Sequence, residues 1–247
     1  MSIEVPDAPM TQPPAAKPKS KAWREVPLLI VIAIALAIVV KTFFIQAFFI
    51  PSGSMETTLH GCPGCNGDRV LVNKIVYDVR DIHRGEIVVF NGVDSFDPEV
   101  PFTPPGSAVR RAVNGFTRLV GLPSPEETDY IKRVIGLPGD RVACCSNGRV
   151  TVQPAGSDTA VELDEPYLFE DDAEVFCAAG TDDACRPGSP GILVPEGRLW
   201  VMGDHRSASS DSRANGSIPI DKVIGRAFVI VWPFNRVKVL PVPDPFR

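Results

Sequence analysis

From Val26 to Val40 the chain runs fifteen residues without a charge, and Thr42 to Ile45 extend the run if Lys41 snorkels. That gives about 20 residues, the length a helix needs to cross roughly 30 Å of hydrocarbon. Pro27 falls in the first turn of such a helix, where its missing N–H costs nothing, and Trp23 sits where an interfacial aromatic belongs. A cleavable secretory signal has a shorter apolar core and a small-residue exit. Here the run leads into Phe43-Phe44-Ile45-Gln46-Ala47-Phe48-Phe49-Ile50, too bulky for an Ala-x-Ala exit, so residues 23–45 are expected to remain as a transmembrane signal anchor.

Orientation follows from charge. Lys17, Lys19, Lys21 and Arg24 precede the span, and only Lys41 follows it before Arg69. The excess of positive charge places the amino terminus in the cytoplasm and the chain from about residue 46 outside. Residues 1–22, rich in Pro, Ala, Lys and Ser, read as a disordered cytoplasmic tail. The net charge of −5 supplies no basic surplus for phosphates, which argues against a nucleic-acid partner.

An exported body permits disulfides. The six cysteines are Cys62 and Cys65 in Cys-Pro-Gly-Cys, the adjacent Cys144 and Cys145, and Cys177 with Cys185. Cys177–Cys185 would close an exposed loop and Cys62–Cys65 a tight local bridge, while the partners of Cys144 and Cys145 stay open. A zinc ribbon wants a second C-x-x-C knuckle, which the chain lacks. A redox centre needs a helix amino terminus to stabilise its thiolate, and the Gly-rich turn at Cys62 does not suggest one.

The remainder, 46–247, reads as mainly β. Pro 25 and Gly 20 imply many turns, and short apolar runs alternate with turn clusters. Strands are expected at Arg69–Val76, Glu86–Phe90, Tyr130–Ile135, Arg141–Cys145, Arg149–Val152, Leu199–Met202, Ile224–Trp232 and Val237–Leu240. Ser146-Asn147-Gly148 marks a hairpin. The expected fold is an antiparallel β sandwich or partly open barrel. Two stretches interrupt it. The Pro-rich insertion 91–128 contains a candidate amphipathic helix, Ser107–Leu122, with Val109, Val113, Phe116, Leu119 and Val120 on one face and Arg110, Arg111 and Arg118 around it. That helix suits either an anionic membrane surface or the protein's own body. Residues 155–195 read as a peripheral acidic lobe.

Three segments carry chemistry. Pro51-Ser52-Gly53-Ser54-Met55 is a turn just past the apolar run. Tyr130-Ile131-Lys132-Arg133-Val134-Ile135-Gly136-Leu137-Pro138-Gly139-Asp140 sets a lysine inside an apolar strand, on the same face as Tyr130, Val134 and Gly136. A solvated lysine, with a pKa of about 10.4, cannot accept a proton at neutral pH. Desolvation can lower that value by several units and leave an amine able to take a serine proton. A lysine that snorkels to the strand edge would lose this property. Gly203-Asp204-His205-Arg206-Ser207-Ala208-Ser209-Ser210-Asp211-Ser212-Arg213 is a polar turn in which Asp211 and Arg213 can pair and a hydroxyl can hold the Lys132 amine.

With Gly67–Val72 and Arg84–Phe90, these segments resemble, in order, the sequence boxes of the bacterial type I signal peptidases, or leader peptidases. The resemblance spans most of residues 48 to 232. It implies a membrane-bound serine endopeptidase that removes signal peptides from exported preproteins, working without metal or cofactor, with preproteins and the lipid bilayer as partners. Carried over by position, Ser54 is the nucleophile and Lys132 the general base. Ser52 and the Ser54 N–H form the oxyanion hole, Ser209 orients the lysine, and Asp211 and Arg213 are the supporting ion pair. Ile50, Met55, Leu59, Tyr130 and Ile131 match positions lining small apolar pockets, which implies cleavage after Ala-x-Ala-like sequences. Thr57 stands where the family usually has proline, His205 where it has asparagine and Ser207 where it has aspartate.

Other readings give different expectations. A Ser–His–Asp hydrolase would draw on His60, His83 or His205, the last beside Asp204, but the chain has no G-x-S-x-G elbow. A tethered scaffold would use the anchor and the β body without catalysis. A self-cleaving serine–lysine protease would need no anchor.

Overall fold

The computed structural model of the chain describes residues 22–92, 96, 129–146, 149–169 and 190–243. Contacts divide the chain into two units, Met1–Ala37 and Ile38–Arg247. The described residues of the first belong to helix α1, Ala22–Phe43, 22 residues long, with Glu25 in its first turn. Pro27 lies at the sixth position of this helix, one turn further in than the sequence suggested, because the helix begins before the apolar run does. The apolar side chains from Val26 to Val40 are exposed. Side chains of α1 are described over 25–40 and at 43, fewer than the roughly 20 consecutive residues of a span. Among the described residues no helix is long and apolar enough to cross a membrane.

The second unit is mainly antiparallel β, as the turn-rich composition implies. Strand β1 (Ile45–Phe49) pairs with β2 (Arg69–Asn73), and the short helix α2 (Val76–Val79) follows. The expected strand 69–76 therefore stops early. The Asn73 side chain accepts a hydrogen bond from the Ile75 N–H at 3.1 Å, an Asx turn that takes the backbone out of the ladder. Next come β3 (Ile87–Asn91), β4 (Asp129–Gly136), β5 (Arg141–Ser146), β6 (Arg149–Gln153), β7 (Val161–Glu162), β8 (Ile192–Leu193) and β9 (Arg198–Met202). After the short helix α3 (Ser212–Asn215) lie β10 (Ile218–Pro219), β11 (Val223–Trp232) and β12 (Lys238–Val239).

The larger sheet has the order β1-β2-β11-β3-β4-β9-β10, with β12 also on β11. Its path is open, with β1 and β10 at the ends. The smaller sheet has the order β7-β6-β5-β8. It is the β5–β6 hairpin with one short strand added to each side, and both additions come from the stretch expected as a peripheral lobe. Its inward residues Val142, Val150 and Val152 pack with Leu163 and Val194 against Ile135, Trp200 and Met202 of β4 and β9. The candidate helix 107–122 lies outside the described residues, as do Cys177 and Cys185 and the side chains of Cys144 and Cys145.

Strand β4 is central, and that fixes the site. Antiparallel pairing sets Lys132 opposite Val88 of β3 and Arg133 opposite Ile87 of β3 and Met202 of β9. Every residue from Tyr130 to Gly136 is buried. Tyr130 and Val134 join Val88, Phe90, Leu199 and Val201 in one apolar cluster. Ile131 faces the other way, into a cluster with Ile50, Met55, Leu59, Val70 and Val89. Both faces are covered, so a charged side chain anywhere along β4 must find partners inside the protein.

Candidate active site

Ser54 sits in a compact turn held by its own backbone. The Glu56 N–H bonds to the Gly53 carbonyl at 3.1 Å and the Leu59 N–H to the Met55 carbonyl at 2.8 Å. Met55 and Leu59, both fully buried, pin the turn onto the core beside Ile50. The Ser54 carbonyl accepts the His205 N–H at 3.1 Å, so the turn is docked on the segment that follows β9.

Lys132 reaches this turn from β4. Its Nζ donates to Ser54 Oγ at 2.9 Å, and each residue is only 1% exposed. Ser52 Oγ lies 3.2 Å from Ser54 Oγ, with either hydroxyl able to donate. Two serine hydroxyls and an amine therefore meet, Ser54 and Lys132 buried and Ser52 half-buried, and the contact of Lys132 with Ser54 joins residues 78 apart in the chain.

The segment 203–213 forms the wall behind them. Asp211 and Arg213 make the expected pair, with Arg213 Nε and Nη2 each 2.8 Å from the carboxylate. Asp211 also accepts the Gly203 N–H at 2.9 Å, and Arg213 Nη2 donates to the Arg206 carbonyl at 2.6 Å. Burial alone would raise the Asp211 pKa; the hydrogen bond and charge of Arg213, with the Gly203 N–H, overcome it and hold the carboxyl below its usual value. The Ser209 hydroxyl is buried beside this carboxylate and weighs on its pKa, but falls short of hydrogen-bond geometry. It makes no hydrogen bond to Lys132 either. It lies against Gly203, where a β-carbon would fall 2.3 Å from its oxygen.

The histidines are placed differently from a triad. His205 Nδ1 faces the Gly53 carbonyl at 3.2 Å, and its ring packs 4.3 Å from Phe169. The carboxylate of Asp204 is held instead by Arg133, at 2.8 and 2.6 Å, and by the Thr58 hydroxyl at 2.6 Å. His60 pairs with Glu56, and His83 Nδ1 lies 2.8 Å from Arg80.

The five pocket residues expected from the sequence are all buried. Ile50, Met55, Leu59 and Ile131 come together in one cluster, whereas Tyr130 points to the opposite face of β4 and packs with Phe90 and Phe96. A cavity of about 560 Å³ lies elsewhere, lined by Thr57, Thr58, Arg133, Tyr167 and residues of the carboxyl-terminal segment, and it touches neither Ser54 nor Lys132. Thr57 and Ser207, two departures from the family pattern, are exposed.

The sequence reading missed a set of buried ion pairs. Arg133 follows Lys132 on the opposite face, stacks on the Tyr167 ring at 3.8 Å and pairs with Asp204. Arg206 pairs with Glu165 and donates to the Gly203 carbonyl at 3.0 Å. Asp68 holds Arg236 at 2.8 Å, and Asp140 holds Arg84. In each of these pairs the acid is buried. Only Arg133 gave a signal, as a second charge inside the expected strand 130–135, a place where an ion survives only if paired; the other members sit among turn residues that mark nothing.

Sequence comparison gives the chain its relatives. The family model described as "Signal peptidase, peptidase S26" matches residues 23–232. A probable signal peptidase I of Mycobacterium leprae is 37% identical, over 89% of this chain and 79% of its own. A signal peptidase I of Mycobacterium tuberculosis is 36% identical, over 92% of this chain and 78% of its own. A probable signal peptidase I-2 of Synechocystis is 35% identical, over 90% and 79%. A solved signal peptidase I from Enterococcus faecalis covers 60% of this chain and 97% of its own at 22% identity, with a TM-score of 0.34, a likeness too slight to carry weight. With a family model over most of its length and relatives above a third identical, the chain belongs to the signal peptidase family, peptidase S26.

Proposed function

We propose that the chain is a signal peptidase I, a membrane-bound serine endopeptidase that removes amino-terminal signal peptides from exported preproteins after Ala-x-Ala-like sites. The observation that carries this reading is the 2.9 Å contact between Lys132 Nζ and Ser54 Oγ with both side chains closed to water. The names of the relatives support the same substrate class.

In this mechanism the Lys132 amine takes the Ser54 proton as Oγ adds to the scissile carbonyl. The oxyanion that forms is met by the Ser54 N–H and the Ser52 hydroxyl, which turns from Ser54 Oγ to the substrate oxygen. Lys132 then gives its proton to the departing amine. A water activated by the same amine releases the acyl group from Ser54. Ser209, Asp211 and Arg213 hold the wall that positions the lysine. Ile50, Met55, Leu59 and Ile131 supply the apolar surface that admits small side chains.

The anchor belongs to this proposal. Helix α1 at 22 residues would be about 33 Å long, and its exposed residues from Val26 to Val40 have an apolar solvent as their natural surroundings. The lysines before it orient the amino terminus inward.

The test is cleavage, in detergent or lipid, of a preprotein with an Ala-x-Ala signal. Ser54→Ala and Lys132→Ala are expected to fall to background, about 10³-fold or more, while His205→Ala keeps cutting. A folded Lys132→Ala protein with full activity would overturn the base assignment. Wild type that cuts nothing would return the scaffold reading to the front.

A further inference from the structure

Apart from the Ser54–Lys132 site, the described residues bring together a second group of chemistry-bearing side chains. His60, Cys62 and Cys65 each offer one ligand atom, and the three atoms lie within 4.8 Å of one another. Cys62 and Cys65 are joined by a disulfide, with their α-carbons 5.4 Å apart. We infer that, once this bond is reduced, His60, Cys62 and Cys65 form a binding site for a thiophilic divalent cation of the zinc class.

The Cys-Pro-Gly-Cys turn presents both sulfurs to one side. Gly64 takes φ +80°, and the Cys65 N–H bonds to the Cys62 carbonyl at 3.3 Å. Tetrahedral zinc with sulfur at about 2.3 Å and nitrogen at about 2.0 Å sets its ligands roughly 3.5–3.8 Å apart. The three atoms lie within 4.8 Å of one another, so after reduction the sulfurs part and the imidazole closes by little more than about 1 Å to reach that spacing. The second knuckle that a zinc ribbon would supply is absent, and His60 stands in for half of it. Three protein ligands leave a fourth position for water.

The surroundings suit an ion. The His60 ring nitrogen Nδ1 is paired with the Glu56 carboxylate, the outer partner that fixes the tautomer of a metal-bound imidazole and raises its basicity. His60 and both cysteines are partly exposed, so reductant and cation have access. The loop is tied down without the bridge. The His60 N–H donates to Asp68 Oδ2 at 2.8 Å, the Asp68 N–H to the His60 carbonyl at 2.7 Å, and the Gly61 N–H to Glu56 at 3.3 Å. His60 and the start of the turn at Gly61 therefore keep their places when the sulfurs part.

The chemistry balances. A dithiol reductant gives two electrons and two protons to the Cys62–Cys65 bond and leaves as its own disulfide. Cation binding then displaces the protons of both thiols.

The test uses the full chain in detergent, reduced with a phosphine and titrated anaerobically with Co²⁺ as a spectroscopic substitute for zinc. Reduced wild type is expected to bind about one equivalent, with thiolate-to-cobalt charge-transfer absorption and the d–d bands of a tetrahedral ion; the oxidised protein shows neither. Cys62→Ser/Cys65→Ser abolishes the bands, and His60→Ala weakens cobalt binding about tenfold or more. His60→Ala retains the bridge, so melting of its oxidised form separates loss of a ligand from loss of fold. No bands in reduced wild type overturns the site. Equal bands in the double variant would assign them to other cysteines and overturn it too, and unchanged affinity in a folded His60→Ala would remove the histidine.

Discussion

Gly203 and Ser209 touch so closely that a β-carbon on Gly203 would lie 2.3 Å from the Ser209 hydroxyl oxygen. The same carbon would lie 2.4 Å from the Ser54 carbonyl oxygen. One of these neighbours is a flexible hydroxyl and the other is backbone, so the backbone of the Ser54 turn has to shift. Gly203→Ala is expected to cost about 1–3 kcal/mol of stability and, through the displaced Ser54, at least tenfold in kcat. Melting and steady-state cleavage check this together. A variant with lowered melting temperature and unchanged kcat would show that the turn adapts without moving the nucleophile.

The Ser52 hydroxyl, 3.2 Å from Ser54 Oγ, is proposed to turn toward the oxyanion in the transition state. Its removal should then lower kcat with little effect on KM, because the interaction is absent from the bound substrate. Ser52→Ala is expected to lose about 10²–10³ in kcat, and Ser52→Thr, which keeps a hydroxyl, to recover part of it. A purely structural role would lower both variants alike.

Arg133 and Asp204 form a bidentate pair, both at most 2% exposed, on the face of β4 opposite Lys132. Removing one partner leaves the other charged and buried, which costs about 3–5 kcal/mol. Asp204→Asn and Arg133→Met should each lower the melting temperature sharply, and the double variant should lose less than the sum of the two. Additive losses in the cycle would mean that the pair contributes no coupling.

The sequence shows why this pair was hard to foresee. Lys132 was legible because one charge among Tyr130, Val134 and Gly136 on an alternating face is an anomaly that a local pattern exposes. Asp211 and Arg213 were legible because they sit two residues apart in one turn. Arg133 with Asp204 and Arg206 with Glu165 are separated by 71 and 41 positions, so the first pairing depends on β4 lying beside β9 and the second on the chain after β7 reaching the turn after β9, neither of which a local pattern contains. The end of β2 was lost for a smaller reason. Arg69 to Val76 reads as a continuous strand until the Asn73 side chain is seen to capture the Ile75 N–H. Tyr130 stands in a different cluster from Ile50, Met55, Leu59 and Ile131, because a strand covered on both sides sends neighbouring residues to opposite faces.

The Asp211 carboxyl contributes to the pH dependence of this scaffold, in the same direction as Glu86. Its folded-state pKa lies below the ordinary value of 3.8, since Arg213 and the Gly203 N–H outweigh the opposing effect of burial. As pH falls, the unfolded state takes up this proton before the folded state does, so stability falls with it. The contribution of the pair is thus fully present above the unfolded pKa and is lost as pH drops from about 4 through the lower folded value. Asp211→Asn removes the titrating group and leaves Arg213 without its charge partner, which should cost about 3–5 kcal/mol at neutral pH. Melting temperatures of wild type and Asp211→Asn, measured from pH 7 down to about 3, should differ most at the neutral end, with the gap narrowing below about pH 4 by at most about 1.4 kcal/mol per pH unit. A gap that stays constant across that range would show that Asp211 does not carry a depressed pKa in the folded protein.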